Sequence, residues 1–209
     1  MTTQVNPMQT EIYSSIQQRI RSGKYTSGEK LSENVLATEF NCSRMPVREA
    51  LKALEQDGLV TIQPKSGTYV RTYSNEEIKS AIEIRAYLEA LAFSLLIEKN
   101  VDISSMKDCL NKMAELGEKR PLNLTEFGQC HFNFHSQMVT LAGNPFLLEL
   151  YNKLHLNALQ RIFFHPMTKE EIATTYEEHE KILQYIVNKD FEGEKFMKNH
   201  LWKLRDNLL

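Results

Sequence analysis

The 209-residue chain is poor in cysteine, has almost no charge imbalance, and lacks any long apolar run. Each shortage closes off a class of protein. No stretch approaches the roughly 20 consecutive apolar residues that a membrane-spanning helix needs. The first fifteen residues, MTTQVNPMQTEIYSS, carry neither a basic nor an apolar leader segment, so no secretory signal is read there. Cys42, Cys109 and Cys130 are odd in number, widely spaced and free of any CxxC. That pattern argues against a disulfide framework and suits a reducing compartment, so a cytoplasmic protein is expected. The formal net charge of −2 hides only a small asymmetry: nine Lys/Arg against seven Asp/Glu through Tyr73, then sixteen against twenty. Charge alone therefore reveals no nucleic-acid surface, and any such surface must be read from a motif.

Strand patterns are equally scarce. Ile12, Ile16 and Ile20, four apart, predict an amphipathic helix over Thr10–Ser22 that Gly23 and Ser27-Gly28 end. A short helix is expected over Ser32–Phe40, then a turn at Asn41-Cys42. Ser43 is placed to cap a third helix, which runs on Val47, Leu51 and Leu54 to about Asp57. Pro46 falls in its first turn, where a missing N–H costs little. Leu59–Ile62 and Thr68–Val70, around the turn Pro64–Gly67, form the one hairpin that the sequence signals. Helix, helix, turn, helix and hairpin make a winged helix-turn-helix domain over residues 1–73.

The capping box Ser74-Asn75-Glu76-Glu77 opens a second domain over residues 74–209. Helices are expected at Asn75–Lys99, Ser104–Glu118, Leu124–Ala142, Pro145–Phe163, Thr168–Asn188 and Asp190–Leu208. The fold class is mainly α: a winged helix-turn-helix followed by an all-α six-helix bundle.

The third helix of the first domain divides its faces as a recognition helix must. Arg44 and Arg48 share one side with Ser43 at the start, while Val47, Leu51 and Leu54 point inward. A planar guanidinium donates two hydrogen bonds at once to guanine O6/N7 or to phosphate. Lys65, Ser66, Gly67 and Thr68 at the wing tip add a cation, hydroxyls and a glycine that admits close backbone approach. Taken singly such arginines are ordinary solvated residues; their place in this element order makes them candidates for DNA contact. The string LATEFNCSRMPVREALKALEQDGLV, followed by KSGTYV, resembles the winged helix-turn-helix of GntR-type transcription regulators over nearly all of residues 8–73. The resemblance implies DNA contacts at Arg44, Arg48 and Gly67. Many members carry a further DNA-contacting arginine ten residues before the first of that pair. Here the position is Asn34, which implies a departure from the family's commonest half-site.

In the second domain, His131 and His135 are four apart on the apolar face of one helix, with Phe127, Phe134 and Met138. His179 lies on the apolar stripe of another helix, and His200 on that of a third. One inward histidine is usually a core residue with a hydrogen-bond partner. Four from three helices need partners together, and a shared divalent metal, with zinc or nickel the best match to imidazole, supplies them. Cys130 points about 100° away from His131 and is assigned to the core. His155 and His165 lie off the pattern and are assigned no role.

Residues 75–208 resemble the FCD effector domain of the FadR-like branch of these regulators. The matching segments are IRAYLE, FNFHSQMVTLAGNPFL and EEHEKILQYIVNKDFEGEKFMKNHL, and six helices point to the VanR-like group. The resemblance implies metal ligands at His135, His179 and His200. The family's aspartate ligand is replaced by His131, which either completes a four-histidine site or swings away. It also implies a small carboxylate effector bound at the metal. Arg85 is then either a carboxylate clamp or an intra-helix partner of Glu89, four residues on. Tyr176, one turn before His179, either reaches the effector or packs.

The function expected is a homodimeric, ligand-responsive regulator on a palindromic operator, with repression relieved by the effector. A dedicated metal sensor is the main rival. A metalloenzyme fused to a DNA-binding domain is the lesser one, since no HExxH is present and Glu178 is expected to point elsewhere on its helix.

Overall fold

The computed structural model describes residues 7–119, 121–154 and 168–206. The chain divides into two compact units, Met1–Tyr73 and Ser74–Leu209.

The first unit contains α1 (Pro7–Arg21), β1 (Lys30–Leu31), α2 (Glu33–Glu39), α3 (Arg44–Gln56), β2 (Val60–Gln63) and β3 (Gly67–Val70). The four-residue isoleucine spacing of α1 places Ile12, Ile16 and Ile20 on one buried face. That helix packs on α3, whose Val47, Ala50, Leu51 and Leu54 are buried in turn. Each of the Ile, Val and Leu side chains contributes about 1.5–3 kcal/mol by leaving water, so this pairing dominates the small core. Ser32 caps α2 by accepting from the Val35 N–H. Ser43 takes the N-cap backbone conformation of α3, yet its side chain makes no capping hydrogen bond.

The sheet has one strand more than the sequence signals. Its order is β1-β3-β2, all antiparallel, with Val60 opposite Val70 and Lys30 opposite Tyr69. β1 is only two residues long, too short for an alternating pattern to be legible. The hairpin turn closes with Ser66 N–H donating to the Gln63 carbonyl at 3.1 Å, and Lys65 takes φ 64°. Gly67 follows at φ 132°, and a Cβ there would sit 2.8 Å from Lys30 Cε. The Lys30 side chain could swing aside, so it is the positive φ that calls for glycine here.

The second unit contains α4 (Asn75–Lys99), α5 (Ser104–Glu118), α6 (Leu124–Leu141), α7 (Pro145–Lys153), α8 (Lys169–Val187) and α9 (Glu192–Asp206). Both capping boxes read from the sequence form, Ser74 with Glu77 and Thr168 with Glu171. The helix expected over Pro145–Phe163 ends earlier, at Lys153 with Leu154 as its C-cap, and residues 155–167, with His155 and His165, lie outside the described residues. The 25-residue α4 is the central element, packed against α6, α7, α8 and α9. Gly193 lets α9 begin close to its neighbours: an added Cβ would lie 2.2 Å from Phe93 Cζ and 2.6 Å from Tyr185 Cβ. No described helix is long and apolar enough to cross a membrane.

Candidate functional site

In the first unit, Ser43, Arg44 and Arg48 are exposed along the start of α3, opposite its buried face. Asn34 of α2 is also exposed and lines one shallow polar concavity with Thr38, Asn41, Ser43 and Arg44. With the Ser43 hydroxyl not engaged in capping, that hydroxyl and the first N–H groups of α3 are available to an anion. Arg48 makes a two-pronged ion pair with Glu33, Nε donating to Oε1 at 3.1 Å and Nη2 to Oε2 at 2.8 Å. At the wing, Lys65 and Ser66 are exposed, and Ser66 Oγ lies 2.8 Å from the Tyr69 hydroxyl. Thr68 departs from the expectation. It is 4% exposed, paired in mid-sheet between Leu31 and Ile62, so alternation along β3 turns its side chain inward.

In the second unit, helices α6, α8 and α9 bring His131, His135, His179 and His200 together, all buried. One nitrogen from each lies within 4.8 Å of the others. The His131 ring centroid is 4.7 Å from that of His135 and 4.5 Å from that of His179, so this ring belongs to the cluster.

Three of the rings are held by oxygen acceptors on their outer side. His135 Nδ1 lies 2.6 Å from Glu89 Oε2, His179 Nδ1 2.6 Å from the Thr175 carbonyl, and His200 Nδ1 2.7 Å from Glu178 Oε2. Carbonyls and carboxylates only accept, so each Nδ1 carries the hydrogen, and a ring that is neutral then keeps its lone pair on Nε2. Yet His135 Nε2 and His179 Nε2 face one another at 2.9 Å. This is acceptor against acceptor, and it needs a shared cation or proton. A proton is disfavoured. Burial, then Arg85, His179 and His200, holds His135 well below the usual histidine range. Burial, then His200, lowers His179 to about 3. Burial and the same neighbours hold His131 well down.

The set fits a metal chemically. Metal–imidazole bonds of about 2.1 Å place two ligand nitrogens on one ion roughly 3.0–4.2 Å apart. The nearest pair is at the lower limit, and the widest must close by about half an ångström for ligands opposite each other and by more than an ångström for a tetrahedral set, in which all pairs are about 3.4 Å apart. Acceptors on the outer nitrogens are what a metal-ligating histidine requires to fix its tautomer and raise its basicity.

Glu89 is the hub behind His135. Its Oε1 accepts from Arg85 Nε at 2.6 Å and from the Tyr151 hydroxyl at 2.8 Å, all three side chains being buried. The intra-helix pair of Arg85 therefore forms. Burial opposes the charge on Arg85, but Glu89 beside it outweighs burial and keeps the guanidinium protonated. Arg85 Nη2 is left buried with no hydrogen-bond partner. Tyr176 is half-buried and lines a groove between α5 and α8 with Lys107, Leu110 and Glu180, a groove that none of the four histidines lines. Cys130 packs against the apolar cluster of Met113, Leu116, Phe127 and Ile172, as the sequence reading has it. Sequence reasoning missed Tyr151, which no local spacing connects to Glu89. It also missed the outer role of Glu178, which turns away from the centre but reaches His200 and Lys203 on α9.

Comparison with known proteins places these features in a family. Residues 8–70 match the model for bacterial regulatory proteins of the gntR family, and residues 80–202 match the FCD domain. The chain is 30% identical over 219 residues to the HTH-type transcriptional regulator LutR of Bacillus subtilis, covering 90% of this chain and 95% of that protein. It is 30% identical over 170 residues to the gluconate operon transcriptional repressor of Bacillus licheniformis, covering 80% of this chain and 68% of that one. A crystal structure of a GntR regulator from Rhodococcus sp. RHA1 superposes with a TM-score of 0.83 over 97% of this chain and 98% of that one at 19% identity, a likeness of fold. The family is one of transcription regulators, which removes the metalloenzyme reading of the histidines. A winged helix-turn-helix and an FCD domain in one chain make this protein a member of the GntR family, a DNA-binding, ligand-responsive transcription regulator.

Proposed function

We propose that the protein is a homodimeric repressor that holds a divalent ion, zinc or nickel by ligand type, at His131, His135, His179 and His200. On this reading it leaves a palindromic operator when a small carboxylate binds beside that ion. The observation that carries the reading is the 2.9 Å approach of two Nε2 acceptors whose outer nitrogens are both committed as donors. A bound ion would supply a positively charged, Lewis-acidic centre for a carboxylate oxygen. The chain's own residues do the rest. Glu89 fixes the His135 tautomer and neutralises Arg85, and Arg85 Nη2, buried without a partner, is a donor for an anionic ligand.

Ile84, Tyr87 and Leu91 leave an exposed apolar stripe along α4, each 47–59% exposed, which favours a second copy as partner. Two copies would set two α3 helices in successive major grooves of a two-fold symmetric operator, with Asn34, Ser43, Arg44, Arg48, Lys65, Ser66 and Gly67 toward DNA. The effector can release the operator only by binding the non-operator arrangement more tightly. A cytoplasmic setting follows from contact with DNA.

The test is to measure the metal that co-purifies with the full chain, then titrate small carboxylates against the protein bound to a duplex it selects from a random library. Stoichiometric zinc or nickel, and release by a carboxylate only in the metal-loaded protein, is the expected result. Release that is the same after chelation would overturn the proposal. The fourth imidazole favours a second reading, because four nitrogen ligands complete a closed tetrahedral site. On that reading the ion is itself the signal, and metal alone would move the protein off its operator.

A further inference from the structure

The ion pair on the DNA-facing surface has a geometry that bears on how the protein reads sequence. Glu33, the first residue of α2, grips Arg48 from the side, using Nε–H and one hydrogen of Nη2. That leaves the other Nη2 hydrogen and the Nη1 hydrogen beside it, which together form the end-on fork of the guanidinium, with the last Nη1 hydrogen on the far side. The pair is at the surface, with the Arg48 side chain 47% and the Glu33 side chain 31% exposed. Two effects follow. The plane of the fork is set by the carboxylate, and the positive charge behind it is offset.

A phosphate responds chiefly to charge, so it gains little at such a pair and meets a carboxylate as it approaches. A base edge responds to donors held in a fixed plane, and guanine O6/N7 is matched by this fork. Arg44 differs: it lies in the polar concavity with Asn34 and Ser43, where α3 begins. We propose that Glu33 is a specificity-determining positioning residue. It turns Arg48 from a backbone-binding charge into a reader of guanine, and it discourages docking wherever no guanine takes up the fork. The inference rests on α3 entering the major groove.

The experiment uses the full chain as wild type, Glu33→Gln, Arg48→Ala and Arg44→Ala. Each is titrated by fluorescence anisotropy against a duplex that the wild type selects from a random library, and against the unselected random pool. Salt is varied between about 50 and 200 mM. For Glu33→Gln the expected results are roughly tenfold tighter binding to the pool and a log–log salt slope steeper by about one. The selected-to-pool ratio should fall by about tenfold or more, the size of one good base contact. Arg48→Ala should lose most of its discrimination, and Arg44→Ala should weaken both duplexes alike. A Glu33→Gln protein with wild-type slope and ratio, or with both affinities reduced equally, overturns the inference and leaves Glu33 a merely structural residue. Arg48→Ala with undiminished selectivity overturns the groove reading itself, and the inference with it. Should Glu33→Gln not fold, Glu33→Asp, one carbon too short to span both nitrogens, carries the same test.

Discussion

Replacing Glu89 by glutamine is the sharpest perturbation of the effector domain, because one buried carboxylate serves three partners. Glutamine keeps one acceptor, which can still serve Arg85 or Tyr151, but it presents an NH2 group where His135 Nδ1–H now donates at 2.6 Å. Donor then faces donor. His135 must then move its hydrogen to Nε2, where it no longer offers a lone pair to the cluster, or the amide must turn over and set its NH2 against Arg85 Nε–H instead. Arg85, 2% exposed, loses its ion-pair partner at the same time. Removing one partner of a buried pair costs about 3–5 kcal/mol, and the retained amide oxygen argues for the lower end. With a urea m-value of about 2 kcal/mol/M, a loss of about 3 kcal/mol moves the midpoint down by about 1.5 M. Trp202, the chain's single tryptophan, lies on α9 and reports this unit's transition by fluorescence. Zinc affinity, measured by competition with a chelating dye, should fall at least 10–100-fold, as for loss of a carboxylate behind a metal-ligating histidine. A Glu89→Gln protein within about 0.5 M urea of wild type, with zinc affinity within threefold, would refute the hub assignment.

Three further outcomes are expected. In the presence of a chelator the effector domain should lose stability on acidification. His131, His135 and His179 are held below their unfolded value near 6.5, so the unfolded chain binds more protons and stability falls as pH drops below that value. Each contributes on the order of 1 kcal/mol between pH 6.5 and 5.5, about 3 kcal/mol together; urea melts showing no pH dependence there would contradict the neutral-histidine assignment. Gly193→Ala should destabilise the same unit by about 1–3 kcal/mol through overpacking against Phe93 and Tyr185, and an unchanged melting temperature would exclude the close approach. Leu91→Asp, on the exposed stripe of α4, should yield monomers in light scattering without lowering helicity, whereas a persistent dimer would place the interface elsewhere.

Much of the fold is legible locally. The isoleucine repeat of α1, the capping boxes at Ser74 and Thr168, and the spacing of His131 and His135 each lie within a few residues of the structure they specify. Periodicity also separates the faces of α3, which is why Arg44 and Arg48 could be picked out as exposed. Tertiary structure decided what no spacing records. β1 is two residues long and exists only because β3 offers it an edge. The place of Thr68 near the turn points it toward DNA, yet the register of β3 buries it. Arg48 could be placed on the recognition helix by sequence, but its side-on partner Glu33 lies fifteen residues away on another element. The histidines themselves were readable one helix at a time. Their outer partners Glu89, Thr175 and Glu178, and the contact of Glu89 with Tyr151 sixty-two residues away, were not all so. The physical reason is one of range. Backbone hydrogen bonding and apolar burial repeat with the period of the helix, so they leave a pattern along the chain. A hydrogen bond between two buried side chains depends on where separate helices cross, and packing alone sets that.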